Sequence, residues 1–204
     1  GITDRKISNA VDNLVASAKA HTWWGKMGAI YPFVGGSEAT HKYNLKDPRD
    51  LDAAYRLTFT DSWTHDANGA KPPGNQSKYA DTHYVPDGAS GRVNTTNMHL
   101  SHYSTENTYY VGNTCGYDIG VYQNTAQIAV LSDRCDFGGA SANIGVDYRQ
   151  VGGTSTTTGY FMASRLSTTN LKLYDNGALI GSETTNDSPY TTITQPISLG
   201  SVNT

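Results

Sequence analysis

Three carboxylates stand close together in one short run. "HKYNLKDPRDLDAAYRLTF", His41 to Phe59, places Asp47, Asp50 and Asp52 among Lys42, Lys46, Arg49 and Arg56. That is a dense cluster for a chain with 15 Lys plus Arg and 18 Asp plus Glu in 204 residues. Two chemistries fit it. Paired carboxylates can serve as acid and base, and a retaining glycosidase needs two about 5 Å apart. Alternatively, the charges neutralise one another and lock a bend in the chain. The residues favour the bend. Asp50 and Asp52 would share one strand face, yet Asp50 follows Pro48 closely and is expected to cap a turn. β-Sandwich glucanases often carry their carboxylates as Glu-x-Asp-x-x-Glu on one strand. Here Glu38, Glu106 and Glu183 are isolated and no such pattern exists.

Other reactive groups form no site by spacing. There is no Gly-x-Ser-x-Gly elbow. His99 and His102 lie three apart in a strand-like run, so they face opposite sides of a sheet and cannot chelate one metal. "SDRCDFGG" and "TCGYDIG" lack zinc spacing. Cys115 and Cys135 can pair across a hairpin or remain two free thiols, and both readings stay open. Loop aspartates such as Asp133 and Asp136 have the oxygen chemistry for calcium, but no loop matches a calcium signature. No cofactor is therefore expected. Tyrosines are the better candidates. Tyr109, Tyr110, Tyr117 and Tyr122 cluster with Asn107, Asn113, Asp118 and Asn124. Exposed aromatic faces stack on the less polar face of a pyranose. Tyr109, Tyr110, Asp118 and Tyr122 are accordingly the candidate ligand residues, set against the plainer reading that they are ordinary strand positions.

Composition narrows the class. Charged residues make up 16% and hydrophobic ones 37%, so neutral polar groups must cover much of the surface. Fourteen tyrosines, 21 glycines and many Thr and Asn residues suit a β-rich chain with many turns. A net charge of −3 gives no argument for nucleic acid or an anionic membrane. No apolar run approaches the ~18 residues of a membrane span, and no signal-peptide pattern is present after Gly1. A first residue other than Met is expected of a processed or internal piece.

Elements that position these groups follow from periodicity. "ITDRKISNAVDNLVASAKAHTWW" sets Ile7, Val11, Leu14 and Ala18 on one helical face. The spacing predicts a helix from about Thr3 to Trp24, with Thr3 as N-cap, Asp4 at the positive end, and Gly25 and Gly28 as the stop. Trp23, Trp24 and Met27 then anchor its C-terminal end to the next domain. Beyond Ala29, short alternating or apolar runs are separated by Gly, Pro, Asn and Asp. "AIYPFVGG", "AAYRLTFT", "NMHLSHYS", "YDIGVYQ", "AQIAVLSD" and "TGYFMASRLS" are among them. Asn-Gly inside "LKLYDNGALIG" is the strongest hairpin signal. Segments 67–78 and 86–96 read as loops. Some ten to twelve short strands at this spacing suit a β-sandwich or barrel.

The stretch "MGAIYPFVGGSEATHKYNLKDPRDLDAAYRLTFTDSWTHDANGAKPPG" resembles a segment of structural and tail-associated proteins of tailed bacteriophages. "AKAHTWWGKM" before it and "YADT", "HLSHYS" and "YDNGALI" after it fit the same pattern. The resemblance covers nearly the whole chain. It implies an amphipathic helix and connector over residues 1–28 and a concanavalin A-like, laminin-G-like jelly roll over 29–204, with two antiparallel sheets face to face. It also implies a non-enzymatic virion component on the particle surface, in a fibre, the tail or a capsid decoration. Its partners would be other virion proteins, copies of itself (a trimer is one form) and host-surface polysaccharide. Lys46, Asp47, Arg49, Asp50 and Arg56 would form a salt-bridged structural turn. Apart from the resemblance, the apolar stripe of the helix needs burial, so Ile7, Val11 and Leu14 are expected to make an assembly contact with another copy or another virion protein, the alternative being that the helix lies flat along a sheet of its own domain. Such phage proteins commonly continue past "ISLGSVNT" into another strand and a closing helix, whereas this sequence stops at Thr204; that end is expected to be disordered, absent, or replaced by another chain covering the sheet edge. The alternatives on the same fold are a polysaccharide-cleaving enzyme, depolymerase- or glucanase-like, and a lectin-like adhesion module.

Overall fold

The computed structural model describes residues 2–60, 62–73, 78–86, 97–105, 119–123, 126–131, 141–145, 151–152, 158–184 and 194–200, with only the backbone path for the strands between 121 and 152. These residues are mainly β, with antiparallel pairing throughout and one main helix at the N-terminal side.

That helix, α1, spans Arg5–Ala20. It is shorter than the periodicity predicts at both ends. Asp4 rather than Thr3 is the N-cap, and its carboxylate accepts a 2.7 Å bond from the Lys6 amide. A carboxylate there satisfies an orphan N–H and also meets the positive helix end. At the other end the helix stops before the tryptophans. The His21 amide bonds back to the Ser17 carbonyl at 3.0 Å, and Thr22 turns left-handed at φ 62°. Trp24–Lys26 then make a 3-10 turn. Trp24 is held there from above. The Lys46 ammonium sits 4.3 Å from its ring centroid and donates to its backbone carbonyl.

Residues 29–36, expected as a strand, form none. "AIYPFVGG" is an irregular segment whose amides bond elsewhere, and Phe33, Gly35 and Gly36 all have positive φ. At Gly35 (φ 98°) a Cβ would come within 2.7 Å of the Thr40 side chain, so only glycine fits. A one-turn helix, α2 (Glu38–His41), comes next. "AAYRLTFT" is likewise not one alternating strand. Asp52–Ala54 form a 3-10 turn, Tyr55 is left-handed at φ 60°, and only Thr58–Phe59 pair, as β1. The expected loop at 67–78 contains one strand of a short hairpin: β2 (Thr64–Asp66) pairs with β3 (Gly69–Lys71).

The remaining strands are β4 (Ala80–Asp81), β5 (Met98–Ser104), β6 (Ile119–Gln123), β7 (Ala126–Leu131), β8 (Ser141–Gly145), β9 (Val151–Gly152), β10 (Gly159–Ser167), β11 (Asn170–Asp175), β12 (Ala178–Glu183) and β13 (Ser198–Leu199). Seven form one sheet in the order β1-β4-β13-β6-β7-β8-β9, and four form another, β12-β11-β10-β5. β5 and β10 approach β7, while β11 approaches β8 and β9, so the two sheets lie against each other. The β11–β12 turn is the anticipated Asn-Gly hairpin. Asn176 (φ 47°) and Gly177 (φ 84°) both have the positive φ of a type I′ turn.

Strict alternation sets the inner face of the four-stranded sheet. Met98, Leu100, Phe161, Ala163, Leu171 and Leu173 are buried, which is what a one-sided sheet requires. His102 stacks on Phe161 on this side, at 5.6 Å between ring centroids, whereas His99 is exposed on the other. A second core lies where β1, β4 and β13 meet. Leu57, Ala80 and Leu199 are buried there against Tyr31, Phe33, Phe59, Trp63 and Ile119. β13 is stitched in from both sides. Ser198 and Leu199 face Asp81 and Ala80 of β4 and Gly120 and Ile119 of β6, and the Ser198 hydroxyl donates to the Gly120 carbonyl at 3.1 Å.

Candidate functional site

The charged run folds as a bend built around one buried amide. Asn44 is 1% exposed. Its Oδ1 accepts from the amides of Ile30 (3.0 Å) and Lys46 (3.1 Å), and its Nδ2 donates to the Ala54 carbonyl (3.1 Å). Three separate segments are thereby tied to one side chain. Backbone bonds from Leu45 to the Ile30 carbonyl (2.8 Å) and from Leu57 to the Lys42 carbonyl (2.7 Å) complete the knot. Tyr31 adds another tie, its hydroxyl donating to the Tyr55 carbonyl at 2.6 Å, and burial pushes this phenol up.

Charges coat the outside of the bend. Arg49 chelates Asp47 through Nε (2.8 Å) and Nη2 (2.6 Å). Lys42 reaches Asp50 at 2.6 Å. Arg56 bridges Asp50 (3.3 Å) and Asp52 (2.9 Å). Lys46, expected in the same network, caps Trp24. The hydrogen bond from Arg49 holds Asp47 below the usual carboxylate range, and that from Lys42 does the same for Asp50. A general acid needs the opposite shift. Asp50 is exposed and Asp47 partly so, and ion pairs near water add little stability. Asp50→Asn should accordingly lower the melting temperature by no more than a few degrees. Calorimetry that gives a loss beyond about 10 °C would show that the outer charges, and not Asn44, hold the bend.

Behind the bend lies a cluster that sequence spacing gives no hint of. His41, at the end of α2, is fully buried, and its Nδ1 lies 3.0 Å from Nδ1 of His65 on β2. The Gly36 amide donates to His41 Nε2 at 3.2 Å. Nε2 must then be unprotonated, which puts the His41 proton on Nδ1 and makes His65 Nδ1 the acceptor. The His65 proton is left on Nε2, a buried atom with no partner among the described residues. Phe33 meets His41 edge-on, and Phe59 and Trp63 enclose His65. Burial, and next the neighbouring His65, push the His41 imidazole below its ordinary value, against a smaller opposing pull from Asp66. His41 is thus held neutral.

Two surfaces remain open. On α1, Ala18 alone is buried; Ile7 and Val11 are partly covered and Leu14 is 39% exposed. The 4-3-4 spacing of these four residues is a coiled-coil seam. The second surface is the outer face of the four-stranded sheet. Tyr103 (68% exposed) and Tyr160 (42%) are direct cross-strand partners there. The next row across the sheet runs Ser101, Met162, Tyr174 and Leu179, and the row beyond it His99, Ser164, Lys172 and Ser182.

Of the candidate ligand residues, Tyr109, Tyr110 and Asp118 lie outside the described residues, as do Cys115, Asp133, Cys135 and Asp136. Tyr122 is placed on β6 opposite Gln127. Tyr103, Tyr160 and Tyr174 were missed. The signal was present: each sits at an outward position of an alternating run whose inward positions are apolar. No group of three or more metal-ligating side chains occurs among the described residues, and no described helix is long and apolar enough to cross a membrane. Comparison with known protein families, curated proteins and solved structures finds no match to this chain.

Proposed function

We propose that this chain is a non-enzymatic structural protein of a tailed-bacteriophage particle, which joins copies of itself through α1. The observation that carries the reading is the seam Ile7, Val11, Leu14 and Ala18, which its own fold leaves half covered. A helix of 16 residues is about 24 Å long and marginal in water without packing. The narrow 4-3-4 stripe fits another copy of the same helix, because such a seam is complementary to itself. The sequence resemblance around the charged bend supports the phage assignment. The two sheets lying against each other support a jelly-roll sandwich behind the helix. Carboxylates engaged in ion pairs, with lowered pKa values, support a structural role for the bend.

Mass in solution tests the assembly. Residues 1–204 should form an oligomer, a threefold helix bundle being the expected form. The same chain with Ile7→Asp and Val11→Asp should be a folded monomer. If both are monomers with identical unfolding, α1 is an internal brace and the proposal fails.

A further inference from the structure

We infer that the outer face of β12-β11-β10-β5 is a binding surface for a polysaccharide whose pyranose rings carry carboxylates. A sheet face turned to water is normally polar. Here Leu166 and Leu179 are exposed, the most exposed large hydrophobic side chain of the four strands is Tyr103, and its direct partner across β10 is Tyr160, also exposed. The pair forms an aromatic ledge that the fold does not use. Tyr174 extends ring surface into the next row.

The polar groups beside the rings say what the ledge fits. His99, Ser164 and Lys172 line one row, in register across three strands. Rows on one face lie about 6.8 Å apart along a strand, and neighbouring strands about 4.8 Å apart. A pyranose has an apolar face and a hydroxyl-bearing rim. The face of one ring can rest on Tyr174 while its rim meets hydroxyl, imidazole and ammonium groups in the adjoining polar row, and Tyr103 with Tyr160, two rows (about 13.6 Å) from that row, can carry a further ring of the same polymer. An apolar protein partner would leave that row desolvated and unpaired. Lys172 sets the sign. It has no ion-pair partner among the described residues, and no carboxylate shares these rows. In a chain of net charge −3, this face therefore favours an anion.

The inference is independent of assembly through α1, since it uses other residues. The test is affinity electrophoresis of the full chain in gels containing polygalacturonate, alginate, hyaluronan or neutral dextran. Retardation is expected in at least one acidic polymer and not in dextran. Tyr103→Ala with Tyr160→Ala should weaken binding about tenfold or more with an unchanged melting temperature. Lys172→Gln should weaken it several-fold and flatten its salt dependence. The Ile7→Asp, Val11→Asp chain should bind as well per chain as the parent in dilute gels. Four results would overturn the inference: no retardation by any acidic polymer, retardation by dextran alone, undiminished binding by the folded tyrosine variant, or a change in that variant's oligomeric mass. The last would make the ledge an interface between copies.

Discussion

Asn44→Ala should cost about 3 kcal/mol or more, a fall in melting temperature of roughly 10 °C. The side chain satisfies two amides and one carbonyl from segments that share no other single anchor. Removing it buries those groups without partners, and each such orphan costs about 1–3 kcal/mol. Asn44→Asp sharpens the test. A carboxylate keeps both amide bonds but turns an anion toward the Ala54 carbonyl. It should be as damaging as alanine at neutral pH and should recover in acid, where a protonated carboxyl can donate to that carbonyl. Thermal unfolding of the two variants at pH 7 and pH 4 reads both effects. A loss of under about 3 °C for Asn44→Ala would remove Asn44 from the centre of the bend.

Acid should loosen the same region in two separate steps. His41 has a folded-state pKa below its ordinary value of 6.5, so the unfolded chain binds its proton more readily. Its contribution to stability is then complete above about pH 6.5 and is lost as the pH falls through the lower folded-state value. The melting temperature should drop by several degrees between about pH 8 and pH 5. Asp47 and Asp50 act in a lower window. Their folded values lie below 3.8, so their share is present above that pH and fades only in stronger acid. Nitrogen NMR of the imidazoles should find His41 neutral with its proton on Nδ1 at about pH 6.5. A charged His41 at that pH, or a flat melting curve from about pH 8 to pH 5, would contradict a neutral His41.

What could be read in advance was what repeats. The apolar spacing of Ile7, Val11, Leu14 and Ala18 gave α1, and alternation gave the inner faces of β5 and β10. Asn176 and Gly177 announced their turn because few residues accept positive φ. The charged bend was legible as a cluster but not in its construction. Asn44 is one polar residue in a polar run, and nothing local marks it as the buried hub. "AIYPFVGG" looks like a strand because it is apolar, yet the Ile30 amide and carbonyl are taken by Asn44 and Leu45 rather than by a neighbouring strand. His41 and His65 are 24 residues apart and meet only because the β2–β3 hairpin packs against α2 through β3. Helix ends escaped for a smaller reason: Thr3 and Asp4 are both good caps, and no Gly or Pro stands between Ala20 and Gly25 to mark where the backbone leaves the helix.

β13 sets a timetable for the newly made chain. Its two residues sit between β4 and β6, with Ser198 bonded to a carbonyl 78 positions earlier. At about 5–20 residues per second, a ribosome needs roughly 4–16 s to travel from Gly120 to Ser198. Throughout that interval β4 and β6 lack the strand that joins them, and each shows an unpaired edge of amides and carbonyls. The residues of α1 are synthesised long before, and their helix, marginal alone, would gain from pairing with another copy. If copies join through α1 as proposed, a nascent chain would offer that helix to neighbours while its larger sheet is still in two halves. Polysomes bring such chains close together, and helix pairing at that stage would hold open edges side by side, where strand exchange between copies competes with closure.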